Sequence, residues 1–269
     1  MKEVRRYEGC ICPVDASILN ADKYCFSVLM RILGYECRLT LTDGERLIIC
    51  YSAHPYPVWV WLPDDAGEDE LERAYKLVRE SFGFSSGYRY NIKYAHADYF
   101  IRRAGEDGES LSITANMHAY TCDTPIEPQR SRESHLRRAK EGEIELVTRL
   151  IDEFHREASI DKTNMQTYRK RARDLIADGC FYLLIDGAGE VAASCTLTPQ
   201  GAQAAIGSVY TLPTKRRQGH AARMVCEATR LAIEMGKTPV LYTDADYPAS
   251  NACYTSIGYK RMGSLCTIS

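Results

Sequence analysis

The chain has 269 residues, of which 45% are hydrophobic and 26% are charged, a composition typical of a folded globular protein. The formal net charge at pH 7 is only −2, which excludes a general electrostatic attraction to nucleic acid or to an anionic membrane. Residues 1–130 contain 15 Lys and Arg against 20 Asp and Glu, whereas residues 131–269 contain 19 against 16. The positive surplus of the second half favours an anionic ligand there.

The beginning of the sequence and its cysteines indicate a cytoplasmic protein. Residues 1–6 are charged and no apolar signal-peptide segment follows them, nor does any run approach the roughly 18 apolar residues that cross a bilayer. The 11 cysteines are odd in number, and most lie in apolar runs, as Cys50 and Cys195 do. We therefore expect reduced, buried thiols. Cys10 and Cys12 have no second pair nearby, so we predict no metal site.

The first half alternates between helical and strand patterns. Asp43-Gly44 is a hairpin signal between two strand patterns, and an apolar run ending in Leu62-Pro63 precedes a helical periodicity. We predict a helix at 16–33, strands at 36–41, 46–51 and 58–62, a helix at 68–82, a strand at 88–93, a helix at 94–103 and a strand at 111–120.

A proline-containing polar segment, 123–134, divides the chain, so we predict domains at 1–125 and 135–269 with a linker at 126–134. For the second domain we predict a strand at 135–140, helices at 141–157 and 165–177, strands at 180–185, 190–198 and 206–212, a helix at 221–235, a strand at 238–243, a helix at 249–257 and a strand at 259–267. The interspersed elements predict an α/β protein with a mixed sheet of the α+β type.

The most informative motif is the turn Lys215–Ala221, which follows a strand and leads into a helix. The first N–H groups of a helix lack intrahelical partners, and the helix dipole adds positive potential there. Gly219 permits a close approach of a ligand, and Arg216 and Arg217 add positive charge. These features suit a diphosphate. The turn therefore predicts a phosphate site.

The spacing Arg216-x-x-Gly219-x-Ala221 resembles the R/Q-x-x-G-x-G/A signature of the GNAT acyltransferase superfamily, and the element order from Leu136 to Ser269 is similar to that of a GNAT domain. The resemblance implies the acyl-CoA N-acyltransferase fold, with acetyl-CoA as cosubstrate. It implies that the following residues bind acetyl-CoA: Tyr210, Thr211, Leu212, Arg216, Arg217, Gln218, Gly219, His220, Ala221 and Asn251. It also implies that the pantetheine amides pair with the strand 210–212, whose Leu212 or Thr211 N–H would polarise the thioester carbonyl.

A second segment, Ser250–Tyr259, resembles the family's N-x-x-(x)-x-Y-x-x-x-G-F/Y segment. The resemblance implies that Asn251 touches the cosubstrate and that the Tyr254 hydroxyl protonates the departing thiolate. A phenol with a pKa of about 10 is a suitable donor. The strand 206–212 lacks the carboxylate that many family members have, and three carboxylates are candidate bases by position: Glu153, Asp244 and Asp246.

The first half repeats the pattern of the second. Both apolar strands end in Leu-Pro, and the next predicted strands, at Tyr88 and Thr238, each begin 25 residues after the proline. We therefore predict a degenerate GNAT-like domain at 1–125. Carboxylates repel a diphosphate, so we expect no coenzyme A in this copy, whose turn contains Asp64, Asp65, Glu68, Asp69 and Glu70.

These patterns predict an N-acetyltransferase that transfers an acetyl group from acetyl-CoA to an amine by direct attack. The acceptor is a small molecule or a peptide, and we expect neither nucleic acid nor membrane as a partner. The alternative is a non-catalytic acyl-CoA-binding or regulatory protein that has kept the cosubstrate site and lost the base. The acceptor's identity and the oligomeric state do not follow from the sequence.

Overall fold

The computed structural model describes residues 2–128, 133–158 and 163–269, so part of the predicted linker, 129–132, lies outside the described residues. The chain divides into two compact units. Unit 1 contains the residues up to Ala119, Thr243–Asp246 and Met262–Ser269. Unit 2 contains Tyr120–Tyr242 and Tyr247–Arg261. These units differ from the predicted domain bounds chiefly in the C-terminal residues, which are part of unit 1.

The described secondary structure alternates strands and helices. In chain order the elements are β1 (Arg5–Tyr7), α1 (Ser27–Ile32), β2 (Leu39–Thr42), β3 (Ile48–Tyr51), β4 (Val58–Trp61), α2 (Glu68–Phe82), β5 (Tyr90–Ile92), α3 (Tyr94–Glu106), β6 (Ile113–Thr121), β7 (Ser134–Arg138), α4 (Ile144–Glu157), α5 (Met165–Ala177), β8 (Phe181–Asp186), β9 (Val191–Gln200), β10 (Gln203–Thr211), α6 (His220–Glu234), β11 (Thr238–Asp244), α7 (Pro248–Ser256) and β12 (Lys260–Ile268). The predicted α/β class with a mixed sheet is confirmed.

Unit 1 is built on antiparallel strands followed by one parallel crossover. β1 to β4 pair antiparallel in sequence order, and β4 then pairs parallel with β5. β12 adds to β5 with Cys266 opposite Ile92. The apolar faces of α2 and α3 pack on this sheet through fully buried rings such as Tyr75 and Phe100. Burial of these faces follows from their 3.6-residue apolar periodicity.

Unit 2 shows the same succession of pairings. β7 to β10 pair antiparallel in sequence order, and β10 pairs parallel with β11. Alternate residues of β8 enter different cores: Leu184 packs with α6 and α7, whereas Leu183 packs with α4 and α5. This alternation is expected for a strand that is covered on both faces. Among the described residues, no helix has the length and apolarity needed to span a bilayer.

The predicted helix at 16–33 is wrong as a single element. The structure has a 3₁₀ helix at Ala16–Asp22 and then α1, so the helix is interrupted beside Asp22. The Asp22 carboxylate accepts hydrogen bonds from Trp61 Nε1 at 2.8 Å and from Lys93 Nζ at 2.6 Å. These partners are distant in sequence, so local periodicity could not reveal them.

Lys93 is the most deeply buried cation of unit 1 among the described residues, with 7% of its surface exposed. Its ammonium pairs with Asp22 and with Asp64, each at 2.6 Å. The Asp22 side chain is 15% exposed, whereas that of Asp64 is 84% exposed. Asp22 is therefore the partner that compensates the buried charge.

We predict that Asp22→Asn lowers the free energy of unfolding by about 3 kcal/mol, because it leaves a buried ammonium without its buried carboxylate. The matched Asp64→Asn variant removes an exposed partner and should cost less than about 1 kcal/mol. The measurement is urea unfolding followed by tryptophan fluorescence, since both tryptophans of the chain, Trp59 and Trp61, lie in β4 of unit 1. Equal losses in the two variants would contradict this assignment.

Candidate functional site

Strands β10 and β11 of unit 2 are joined only where they begin. The parallel pairing runs from Gln203 opposite Thr238 to Ala205 opposite Val240. β10 continues to Thr211 without a further β11 partner among the described residues. The backbone of β10 after Ala205 therefore has one edge that is not paired with its neighbour.

A β-bulge lies in this part of β10. The register against β9 shifts between Gly207 and Tyr210, and Ser208 has a φ of +48°. A bulge bends a strand and redirects its backbone groups. The bulge was missed in the sequence, where Gly207 inside a strand was the available signal.

The direction of the backbone amides decides which of them face the unpaired edge. Leu212 N–H donates to the Ala192 carbonyl at 3.1 Å, so this amide points toward β9. Successive amides of a strand point to opposite sides, and Thr211 is opposite Ala193 in the register. Thr211 N–H therefore points to the unpaired side. Of the two residues predicted as candidates for polarising a carbonyl, Thr211 has its N–H on the unpaired side and Leu212 has its N–H bonded to β9.

The turn between β10 and α6 has an unusual backbone. A single 3₁₀ turn, Pro213–Lys215, follows the strand, and Arg217 then adopts a φ of +58°. Gly219, with a φ of +86°, caps α6. Within the described ranges, Ser208 and Arg217 are the only two non-glycine residues with positive φ. Such conformations are costly and concentrate at functional sites. Both occur on one strand and the turn that follows it.

The amides of this turn are available to a ligand. Arg217, Gly219 and Ala221 N–H make no main-chain hydrogen bond among the described residues, and none of these three residues is buried. Left-handed residues in a turn make successive N–H groups converge into an anion-binding concavity. The helix start therefore has the donors that the sequence predicts for a phosphate site.

The cations of the turn have different partners. Lys215 pairs with Asp186 at 2.7 Å and also with Glu190, and this ammonium lowers the pKa of Asp186 to about 2. Arg216 pairs with Glu157 and donates from Nε to the Thr211 carbonyl at 3.2 Å. Lys215 and Arg216 thus hold the turn onto the protein.

Arg217 is exposed and has no ion pair in the described part of the chain. The other two predicted turn residues lie against the protein. Gln218 donates from Nε2 to the Thr214 carbonyl at 3.3 Å, and His220 is buried at the start of α6.

Tyr210 links the site strand to α4. Its ring lies in the core formed by α4 and α5, and the Arg216 guanidinium is 5.9 Å from the ring centroid. Burial and a hydrogen bond with Glu153 raise the pKa of Tyr210. Glu153 is thus the candidate base that contacts the site strand, whereas Asp244 and Asp246 belong to unit 1.

Tyr254 and Asn251 lie on α7. Tyr254 is 8% exposed, and burial raises its pKa, so its hydroxyl stays protonated at neutral pH. Its ring lies near those of Tyr120 and Tyr259, at centroid distances of 6.3 and 6.1 Å. Asn251 accepts from the Tyr120 hydroxyl at 3.2 Å and donates to the Tyr247 carbonyl at 3.0 Å. The Asn251 side chain therefore has partners within unit 2.

Comparisons with known proteins found one family model and several solved structures that are similar to this chain. The FR47-like protein family matches residues 183–267, which include β10, the turn, α6 and α7. An acetyltransferase from the GNAT family of Colwellia psychrerythraea is 13% identical, with 99% of this chain and 98% of that chain covered and a TM-score of 0.57. A GCN5-related N-acetyltransferase from Sphaerobacter thermophilus is 12% identical, with 98% and 94% covered and a TM-score of 0.68.

The chain has the GNAT fold. A GCN5-related N-acetyltransferase from Kribbella flavida, 18% identical with 82% of this chain and 85% of that chain covered, gives a TM-score of 0.54. No curated protein matches the sequence. The GNAT resemblance that the turn motif suggested is therefore confirmed at the level of the fold. Among the described residues, no group of three or more His, Cys, Asp or Glu side chains could hold a metal ion.

We predict that the amides of Arg217, Gly219 and Ala221 exchange with solvent at least about 100-fold faster than that of Leu212, because exchange follows hydrogen bonding and burial. Hydrogen–deuterium exchange of the unliganded protein, resolved by residue, measures this difference. Leu212 is the internal control, since its amide is bonded to Ala192 in the same region. Slow exchange throughout the turn would show that its amides already have partners.

Proposed function

We propose that unit 2 binds acetyl-CoA and transfers its acetyl group to an amine. The observation that supports this best is the coincidence of three features: the unpaired edge of β10, the bulge at Ser208 and the left-handed turn at Arg217 and Gly219. Together they offer an extended backbone edge that leads into an anion-binding helix start. Acetyl-CoA matches both features. The amides of its pantetheine arm can pair with the unpaired edge of β10, and its diphosphate can bind at the start of α6.

The turn holds the diphosphate. The N–H groups of Arg217, Gly219 and Ala221 donate to its oxygens, and the dipole of α6 adds positive potential. The Arg217 side chain adds one mobile positive charge. Lys215 and Arg216 act indirectly, because their ion pairs with Asp186 and Glu157 keep the turn in place.

The strand orients the reacting end. The unpaired backbone of β10 pairs with the amides of the arm, as an added strand would. Thr211 N–H points to the same side and polarises the carbonyl, a role in which a preorganised donor stabilises developing negative charge.

When bound, acetyl-CoA supplies a thioester whose acyl carbon is attacked by the amine while the carbon–sulfur bond breaks. Tyr254 donates its phenolic proton to the departing sulfur. The raised pKa of this buried hydroxyl keeps the proton available at neutral pH. A thiolate with a pKa of about 8.5 is then released as a thiol.

The acceptor is an amine of a small molecule or a peptide, and it must lose a proton to attack. An alkyl ammonium has a pKa of about 10.4, so a base increases the reactive fraction. Glu153 is our candidate for this base, because it contacts Tyr210 on β10.

The location we propose remains the cytoplasm, in line with the cysteine content.

We predict that Gly219→Glu weakens acetyl-CoA binding at least about 30-fold, because it places a like charge beside the diphosphate. Gly219→Asn, which tolerates left-handed backbone, should weaken binding less than about tenfold. The matched control is Gly67→Glu, which adds the same charge at the N-cap of α2, where a Cβ meets nothing within 4 Å. Isothermal titration calorimetry measures affinity and stoichiometry.

The control variant should bind acetyl-CoA within about twofold of the original protein, with one molecule per chain. Two molecules per chain would contradict the proposed loss of the site in unit 1. An unchanged affinity in Gly219→Glu would contradict the phosphate site itself.

We also predict that Tyr254→Phe lowers kcat about a hundredfold or more while the KM for acetyl-CoA changes little, since only proton donation is lost. Because the pKa of Tyr254 is raised, ionisation of this group should not reduce kcat below about pH 10. The measurement is thiol release with a panel of amines over pH 6–10. Binding without amine-dependent thiol release would favour the acyl-CoA-binding alternative.

A further inference from the structure

Three cysteines of unit 1 that the proposed reaction does not use are neighbours. Cys50 Sγ donates a hydrogen bond to Cys37 Sγ at 3.6 Å, and both side chains are buried, with 0% and 1% exposed. Cys10 is joined to Cys37 by an isolated antiparallel bridge, in which Cys37 N–H donates to the Cys10 carbonyl at 3.2 Å. Cys10 is exposed. The three thiols thus form a series from the surface to the interior.

The pairing across the bridge brings the first two thiols together. Residues directly opposite each other in an antiparallel pair have Cα atoms about 4.5–5.5 Å apart. A disulfide needs a Cα separation of about 4.4–6.8 Å. Cys10 and Cys37 therefore satisfy the main-chain requirement for an exchange step, and Cys37 and Cys50 are already in contact.

The contacts of the Cys37 sulfur act on its protonation in opposite directions: its own S–H reaches the Ile32 carbonyl at 3.2 Å, whereas Cys50 donates to it. The hydrogen bond from Cys50 lowers the pKa of Cys37 to about 7, and the same contact raises the pKa of Cys50. Thr40 Oγ1 donates to Cys50 Sγ at 3.5 Å, which holds the Cys50 sulfur in place. The thiolate is the nucleophile in thiol–disulfide exchange.

Other buried cysteines of the chain lack these features. Cys195 is fully buried, and burial raises its pKa to about 12. Burial likewise raises the pKa of Cys266 to about 12. Burial therefore raises the pKa of these two thiols, whereas the contact with Cys50 distinguishes Cys37.

We propose that Cys37 and Cys50 are an oxidation site that closes to a reversible disulfide, with exposed Cys10 as the thiol through which a low-molecular-weight disulfide reaches them. This site is independent of the proposed acetyl transfer, since all three residues belong to unit 1.

The reaction proceeds in three exchanges. Cys10 thiolate attacks one sulfur of the small disulfide, whose S–S bond breaks and releases one thiolate that takes up a proton. Cys37 thiolate then attacks Cys10 Sγ, forms the Cys10–Cys37 bond and releases the second small thiol. Cys50 finally attacks Cys37 Sγ and loses its proton, the Cys10–Cys37 bond breaks, and the departing Cys10 thiolate takes up that proton. Overall, two protein thiols lose two electrons and two protons, and one small disulfide is reduced to two thiols.

The experiment treats the full chain with oxidised glutathione at pH 7.5, blocks remaining thiols with N-ethylmaleimide and maps peptides by mass spectrometry without reduction. We expect a peptide that links Cys37 to Cys50, with Cys195 unlinked. Dithiothreitol should reverse the link. Glutathione held stably on Cys10, with Cys37 and Cys50 both alkylated after unfolding, would overturn the proposal.

Two variants test the order of the exchanges. Cys10→Ser should slow the Cys37–Cys50 link about tenfold or more, because the remaining thiols are buried. Cys253→Ser, which removes a partly exposed thiol of unit 2, is the matched control and should leave the rate unchanged. Cys50→Ala should accumulate the Cys10–Cys37 disulfide. An unaltered rate in Cys10→Ser, or glutathione alone on Cys10 in Cys50→Ala, would refute the role of Cys10.

Discussion

The unpaired edge of β10 is the feature on which the candidate site depends. Backbone N–H and C=O groups are strong hydrogen-bonding groups, and an edge that has lost its neighbour strand must bond to water or to a ligand. Here the pairing with β11 ends at Ala205, and the bulge at Ser208 redirects the strand before it reaches the turn. The position of Thr211 N–H and the start of α6 both follow from this geometry. In our proposal, a ligand with its own amides takes the place of the missing strand.

Unit 1 has the same succession of strand pairings but a different chemistry after its fourth strand. Asp64 pairs with buried Lys93, and Arg46 pairs with Glu70 at 2.6 Å and with Asp65 at 2.9 Å. The acidic residues at the start of α2 therefore have structural partners, and Glu70 also accepts from the Gly67 amide at 3.0 Å. The shared strand pairings and the acidic helix start are what a degenerate copy of the GNAT domain would have. That unit 1 is such a copy remains our prediction. Two units of similar topology thus differ in the charge at the corresponding helix start, and acidic residues there disfavour an anionic ligand.

In unit 2, most cations of the turn form ion pairs within the protein and so stabilise the conformation of the turn. Lys215 and Arg216 form ion pairs with residues of the β8–β9 hairpin and of α4, so two of the three cations are already compensated. Main-chain amides do not lose their polarity when salt is added, and a site built from them depends less on ionic strength than a cluster of lysines does. The anion site that we propose therefore does not require a positive net charge, and the net charge of this chain is −2.

Most of the order of elements, the strand–turn–helix motif at Gly219 and the candidate residues of α7 could be predicted from the sequence, because helix periodicity, hairpin turns and glycine positions are local properties. The short strand β1 was not predicted. The break in the helix predicted at 16–33 depends on long-range bonds, since Asp22 is bonded to Trp61 and Lys93. The sides to which the Thr211 and Leu212 amides point also depend on a long-range feature, the register with β9. The partners of Lys215 and the contact between Cys37 and Cys50 are likewise set by long-range pairing, which no local pattern encodes.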